Sequence, residues 1–148
     1  MEGLGGMFLS IIAGAASYMA AQLLWYAPFA FGPEYLRTRG ITEDETSEIA
    51  SKPGYEGEVF ASVIVPAFLM SMALVTLKTV TDQFIGTNRG FLFFSLLLWS
   101  AVSVPKYIFA YSAGRRLEQR SFIQEGAFLL SFLATVFAII GSRPHIIF

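Results

Sequence analysis

The chain has 148 residues, of which 55% are hydrophobic and 14% are charged, and its formal net charge is −1. With a mean hydropathy of +0.59, this composition is typical of an integral membrane protein. Cysteine is absent and His145 is the single histidine, which excludes Cys-based metal sites and disulfides within the chain, so neither a metal nor another cofactor is expected. Without a basic run or an RNA-binding motif, no nucleic-acid partner is expected.

Four stretches of the sequence are long enough to cross a bilayer. A hydrocarbon core of about 30 Å needs about 20 apolar residues of helix. The stretches are residues 6–31, 59–77, 91–111 and 122–141, and none has an Asp or Glu near its middle. Because lipid offers the backbone no hydrogen bonds, each is expected to be a helix. The predicted fold is an all-α, integral membrane four-helix bundle, with a single transmembrane domain over residues 1–148.

The end of the first span reads as a membrane interface. Trp25 and Tyr26 suit the headgroup region, and Pro28 and Pro33 end one helix and start another. Residues 32–58 form a polar loop rich in acids, in which Thr42 and Glu45 have the spacing of a capping box. A short helix is therefore expected within this acidic loop, which either is a solvated surface or docks a partner.

The basic residues of the loops indicate an orientation. With four spans the first and third loops share one side of the membrane. That side carries Arg37, Arg39, Lys52, Arg115, Arg116 and Arg120, against Lys78, Arg89 and Arg143 on the other. The bias favours the first and third loops facing the cytoplasm or the matrix. A bacterial inner membrane and a eukaryotic organellar membrane both fit.

Small residues recur along one face of the first span. Their spacing of three or four residues places them in line on a helix. They are Gly6, Ser10, Gly14, Ser17 and Ala21. Such a face lets a second helix approach closely in lipid. The partner helix is either internal or part of another chain.

Lys106 is the clearest ionisable residue inside a span, and intramembrane charges are candidates for function. It follows Pro105, where the helix is expected to kink or end. Its side chain either extends to the interface, pairs with Glu125, or belongs to a substrate or ion site. Residues of the same leaflet form a candidate polar or lipid-binding and ligand-binding cluster: Gln22, Tyr26, Lys106, Tyr107, Gln124 and Glu125.

The junction after the first span resembles a small four-span membrane family known as domain-of-unknown-function seventeen sixty-one. The family pattern has a Trp-Tyr-x-Pro-x-x-Phe-Gly segment, a short helix, and then Gly-x-Thr with acids. The matching residues are Trp25, Tyr26, Pro28, Phe31, Gly32, Gly40, Thr42 and Glu43. A looser likeness continues through Trp99 and Pro105 to Gly126. Tyr35 stands where the family often has Trp. The resemblance implies a four-span bundle and no known reaction.

No catalytic motif is present in the sequence, which has no P-loop, dinucleotide fingerprint, nucleophile elbow or zinc-protease helix. The sequence therefore favours a non-catalytic accessory or scaffold subunit of a larger membrane complex, with membrane lipids and other membrane proteins as partners. The alternative is a small-solute or ion carrier that works as a homodimer, with Lys106, Gln22 and Glu125 around a kinked third span.

Overall fold

The protein is a bundle of long helices. The computed structural model describes residues 2–42, 44–45, 48, 51–54, 57–58, 60–114 and 119–142. Its helices are α1 (Glu2–Trp25), α2 (Gly32–Arg39), α3 (Val65–Phe84), α4 (Asn88–Ser112) and α5 (Gln119–Ser142), and a π-helical turn, Phe60–Ile64, leads into α3. In this part of the chain there is no strand. Four helical stretches are long and apolar enough to cross a membrane: Leu4–Trp25, Phe60–Phe84, Asn88–Ser112 and Ser121–Ser142. The predicted all-α membrane four-helix bundle is confirmed.

The core lies where the four long helices meet. α1 packs along α5 and α3, and α4 lies against α3 and α5. The buried core cluster comprises Leu74, Val75, Phe91, Phe132, Val136 and Ile139. α5 is the most buried of the four spans and α4 is the least buried. The bundle is therefore centred on α1, α3 and α5, with α4 at its periphery.

The small-residue face of α1 packs against helices of the same chain. A Cβ atom added to Gly14 would lie 2.3 Å from the Ser71 hydroxyl oxygen of α3, and the Thr135 hydroxyl of α5 donates to the Gly14 carbonyl at 3.3 Å. Ser10 and Ser142 are hydrogen-bonded through their hydroxyls at 2.8 Å. Burial along the face is complete at Ser10, Gly14 and Ala21 and partial at Gly6 and Ser17. Since glycine lets α1 approach both neighbours closely, the partner helices are internal.

The second span continues beyond its predicted end. The sequence places its end at residue 77 and Lys78 in a loop, whereas α3 continues to Phe84 with Lys78 inside it. Lys78 Nζ pairs with Asp82 Oδ1, one turn later, at 2.5 Å. Because Asp82 neutralises the charge of Lys78 within the helix, these two charged residues do not terminate α3.

A short turn, residues 85–87, joins α3 to α4. Gly86 has a φ of 67°, a left-handed conformation that glycine adopts without a steric penalty. The Thr87 hydroxyl accepts from the Gly90 backbone N–H at 3.1 Å and caps α4. The two helices are therefore held close together at this end of the bundle.

The two span prolines have different effects. Pro105 lies inside α4, which continues to Ser112 and does not end at the proline. Pro66 is at the start of α3, directly after the π-helical turn. Proline has no backbone N–H to donate to the carbonyl four residues earlier. The regular α-helical hydrogen bonding of α3 therefore cannot continue unchanged toward the N-terminus through Pro66.

Candidate functional site

Aromatic and glycine residues build the turn after α1. The rings of Trp25 and Phe31 stack with centroids 4.3 Å apart. A Cβ atom added to Gly32 would lie 2.3 Å from the carbonyl oxygen of Tyr26. Glycine is therefore required for α2 to begin so close to the end of α1.

The indole of Trp25 packs against α5 at a second glycine. A Cβ atom added to Gly126 would lie 2.4 Å from Cζ2 of Trp25. Trp25 belongs to the segment that resembles the family pattern at the end of the first span, and Gly126 belongs to the looser likeness in the fourth span. These two parts of the resemblance are therefore in contact. This contact joins the α1–α2 turn to α5.

The rest of the motif shapes the chain after α2. Gly40 ends α2 with a φ of 67°. The Glu45 backbone N–H donates to the Thr42 hydroxyl at 3.4 Å, and the Thr42 N–H donates to the Glu45 carboxylate at 3.3 Å. This reciprocal pair is the predicted capping box, and Asp44 and Glu45 are helical. Glu43 lies outside the described residues.

Tyr35 connects α2 to the start of α5. Its hydroxyl accepts from Gln124 Nε2 at 3.1 Å and from Arg39 Nη1 at 3.4 Å. The Tyr26 ring lies 5.0 Å from the Tyr35 ring. Burial raises the pKa of Tyr26 to about 12, with smaller contributions from Tyr35 and Tyr18. Tyr35, at a position where the family often has Trp, therefore provides a hydroxyl that accepts hydrogen bonds from two side chains.

Glu125 ties α4 to α5. The fully buried Ser103 hydroxyl donates to the Glu125 carboxylate, and the Tyr107 hydroxyl also interacts with this carboxylate. The Ser121 carbonyl oxygen lies 3.5 Å from the same hydroxyl, so the carbonyl and the carboxylate share its single proton. The carboxylate is thus held by hydroxyl groups of the neighbouring helix.

Lys106 lies apart from Glu125. Its side chain is exposed, and its ammonium lies 5.6 Å from the centroid of the Phe128 ring. In the described ranges the ion pair found is Lys78–Asp82, and Lys106 pairs with no carboxylate there. The pairing of Lys106 with Glu125 that the sequence suggests is absent from this structure.

The predicted polar cluster is divided into separate groups. Gln22 interacts with Tyr18 on its own helix. The other groups are Tyr26 with Tyr35 and Gln124, Tyr107 with Glu125 and Ser103, and Lys106 over Phe128. Tyr18 also acts electrostatically on Tyr26, so the first two of these groups adjoin, whereas Lys106 contacts the Phe128 ring.

The Lys78–Asp82 pair lies inside the second helical span, where the hydropathy pattern predicts a loop. Lys78 is fully buried, whereas the side chain of Asp82 is 21% exposed. The Lys78 ammonium also lies 5.6 Å from the centroid of the Phe91 ring of α4. The sequence signal was the four-residue spacing of opposite charges directly after an apolar run, which permits the helix to continue.

Comparison with known proteins identifies one related group. The family model described as a protein of unknown function, DUF1761, matches residues 9–140, nearly the whole chain. No curated protein and no solved structure matches significantly.

Proposed function

Because the chain belongs to the DUF1761 family, whose function is unknown, we propose that it acts by association within the membrane. It serves as a non-catalytic accessory or scaffold subunit of a larger membrane protein complex. The observation that carries this proposal is that several intramembrane hydroxyl groups bond to neighbouring helices of the same chain.

Each of these polar contacts has a structural role. Ser103 bonds Glu125 between α4 and α5, and Ser10 bonds Ser142 between α1 and α5. Thr135 of α5 donates to α1. A binding site for a polar substrate needs several polar groups directed at one space. Polar groups engaged with one another in pairs support a structural role more than transport or catalysis.

The outer face of α4 offers a surface for a partner. Five exposed side chains lie within about 60° on this helix, as its period of about 3.6 residues requires: Phe93, Leu97, Val104, Ile108 and Tyr111. We call them the α4 ridge. α4 is the least buried span, so a transmembrane helix of another subunit would add the packing that α4 lacks within its own chain.

The carrier alternative draws less support from these contacts. It relies on Lys106, Gln22 and Glu125 around one site. Gln22 contacts Tyr18 on α1, Glu125 is bonded by α4 hydroxyls, and Lys106 lies over Phe128. These separate contacts do not assemble the three side chains around a solute.

The protein is a membrane protein by its four apolar helices. For its orientation we retain the proposal that the first and third loops face the cytoplasm or the matrix, since these loops carry most of the Lys and Arg residues.

The test is gentle extraction from the native membrane, followed by native mass analysis and identification of stoichiometric copurifying chains. The ridge variant is Phe93→Ala with Ile108→Ala, and the control is Phe8→Ala with Ile12→Ala on α1. The exposures are closely matched, at 63% and 60% for the ridge against 65% and 56% for the control. We expect defined partner chains with the wild type and the control and their loss with the ridge variant. A wild-type protein that is only a monomer or homodimer would overturn the proposal.

A further inference from the structure

One face of α4 becomes steadily more exposed along the helix. Ser95, Val102 and Phe109 are spaced by seven residues and therefore lie on nearly the same face. Their exposures rise from 0% to 48% to 78%. The rise runs away from the turn at residues 85–87 and toward the end of the bundle that carries the first and third loops.

α3 shows the same trend on a face that reaches the core. Val75 is 1% exposed, whereas Phe68, seven residues earlier and nearer the first loop, is 38% exposed. Ser103 stays buried against Glu125 of α5. Since α4 keeps its contact with α5, the exposed faces indicate that α4 and α3 diverge toward the loops. We call the space between them the α3–α4 opening.

Lys106 faces this opening. It lies eleven residues, about three turns, after the buried Ser95 and so points to the same side of α4. Its ring partner Phe128 lies 6.2 Å from the Phe132 ring, and Phe132 belongs to the same core cluster as Val75. Lys106 is exposed although its side of α4 is buried nearer the turn.

The depth of Lys106 suits a lipid headgroup. It lies six residues before the end of α4 at Ser112, about 9 Å along the helix. The long lysine stem carries the ammonium part of this distance toward the interface. In the described part of the chain, Lys106 pairs with no carboxylate, and an anionic lipid headgroup at this depth would balance its charge.

We propose that the α3–α4 opening binds one anionic phospholipid from the leaflet on the loop side. The acyl chain lies against Val102, Phe109 and Phe68, and the phosphate pairs with the Lys106 ammonium. Apolar walls with a single cation near the interface complement a molecule with one apolar tail region and one anionic head. This site is distinct from the α4 ridge and does not depend on the proposed subunit role.

The experiment is native mass spectrometry of the purified protein with phosphatidylglycerol or phosphatidylcholine added in equal amounts. We expect the wild type to retain about one phosphatidylglycerol per chain. Lys106→Gln should weaken this retention about fivefold, the effect of one lysine near an anionic headgroup. Val102→Trp should also weaken it by filling the opening, with Lys106 intact. The control Lys52→Gln removes the same charge from the exposed loop and should leave retention unchanged.

The conservative variant Lys106→Arg keeps the charge and should retain the lipid. Comparing it with Lys106→Gln distinguishes loss of the charge from a general folding defect. Equal retention of both lipids, or unchanged phosphatidylglycerol retention in Lys106→Gln, would overturn the proposal. Oleate binding in preference to phosphatidylglycerol would overturn the assignment of a phosphate headgroup. Loss of a copurifying protein with no change in lipid would show that Lys106 pairs with another chain.

Discussion

Replacing Asp82 by asparagine should strongly destabilise the bundle, because it leaves the ammonium of Lys78 buried without its counter-charge. At the 2.5 Å separation of Nζ and Oδ1, an effective dielectric constant of about 20 gives roughly 7 kcal/mol of attraction. The asparagine oxygen retains a hydrogen bond from the charged ammonium worth about 1.5–3 kcal/mol, and the partial exposure of Asp82 admits water. Removing one partner of a buried pair typically costs about 3–5 kcal/mol, and we expect about 3 kcal/mol here.

The reverse change should cost less. Lys78→Met removes the fully buried charge and leaves a carboxylate that is already partly exposed. Lys78→Met combined with Asp82→Leu should bring the stability close to that of the wild type, since apolar replacements of buried ion pairs are often neutral or stabilising. The order of stability expected is therefore double variant, then Lys78→Met, then Asp82→Asn.

The measurement is the free energy of unfolding in mixed micelles titrated with a denaturing detergent. Asp44→Asn serves as the control, because it removes the same charge from an exposed position in the acidic loop. An Asp82→Asn variant within about 0.5 kcal/mol of the wild type, the range of ordinary surface changes, would refute the reasoning. So would a double variant as unstable as Asp82→Asn.

Two further predictions concern packing and orientation. Gly126→Val should lower the free energy of unfolding by about 1–3 kcal/mol, because the new side chain displaces Trp25. The control Gly141→Val lies on the same helix, where an added Cβ meets nothing within 4 Å, and should lower it little. Equal free energies of unfolding for the two variants would contradict the Trp25–Gly126 contact. In this cysteine-free chain, Thr42→Cys and Thr87→Cys should react with an impermeant maleimide from opposite sides of the membrane, with Thr42→Cys labelled from the cytoplasm or matrix. Labelling of both from one side would contradict the four-span topology.

The regular features of the fold followed from the sequence because they depend on local patterns. Four apolar stretches predict four helices, and the spacing of Thr42 and Glu45 predicts the capping box. Both depend on residues that are close in sequence, where lipid, helix geometry and backbone hydrogen bonding limit the outcomes.

The end of α3 shows where local patterns fail. The sequence pattern predicts that Lys78 lies in a loop, because a charge normally marks the end of a span. Asp82 neutralises Lys78 only if the helix continues for another turn. The hydropathy pattern therefore predicts that the span ends before Lys78, whereas the four-residue spacing of Lys78 and Asp82 predicts that the helix continues. In the structure the helix continues, and the two charges pair within it.

The neighbours of Lys106 could not be predicted from sequence. Glu125 is the nearest acid in a facing span, but Ser103 and Tyr107 engage it, and the rotation of α5 brings Phe128 under the ammonium instead. Which of several residues one turn apart faces a neighbouring helix depends on the rotation and tilt of both helices. Those angles are set by the packing of the whole bundle.

The turn at residues 85–87 affects how the protein occupies its bilayer. α3 and α4 are held together by three residues at one end; in the arrangement proposed above they diverge toward the other end, so this helix pair takes up more lateral area in one leaflet than in the opposite leaflet. A change in the tilt of α4 about this turn alters the area in the wider leaflet and leaves the narrower one almost unchanged. The proposed arrangement of α3 and α4 is therefore asymmetric across the membrane in its shape, just as the loops are asymmetric in their charge.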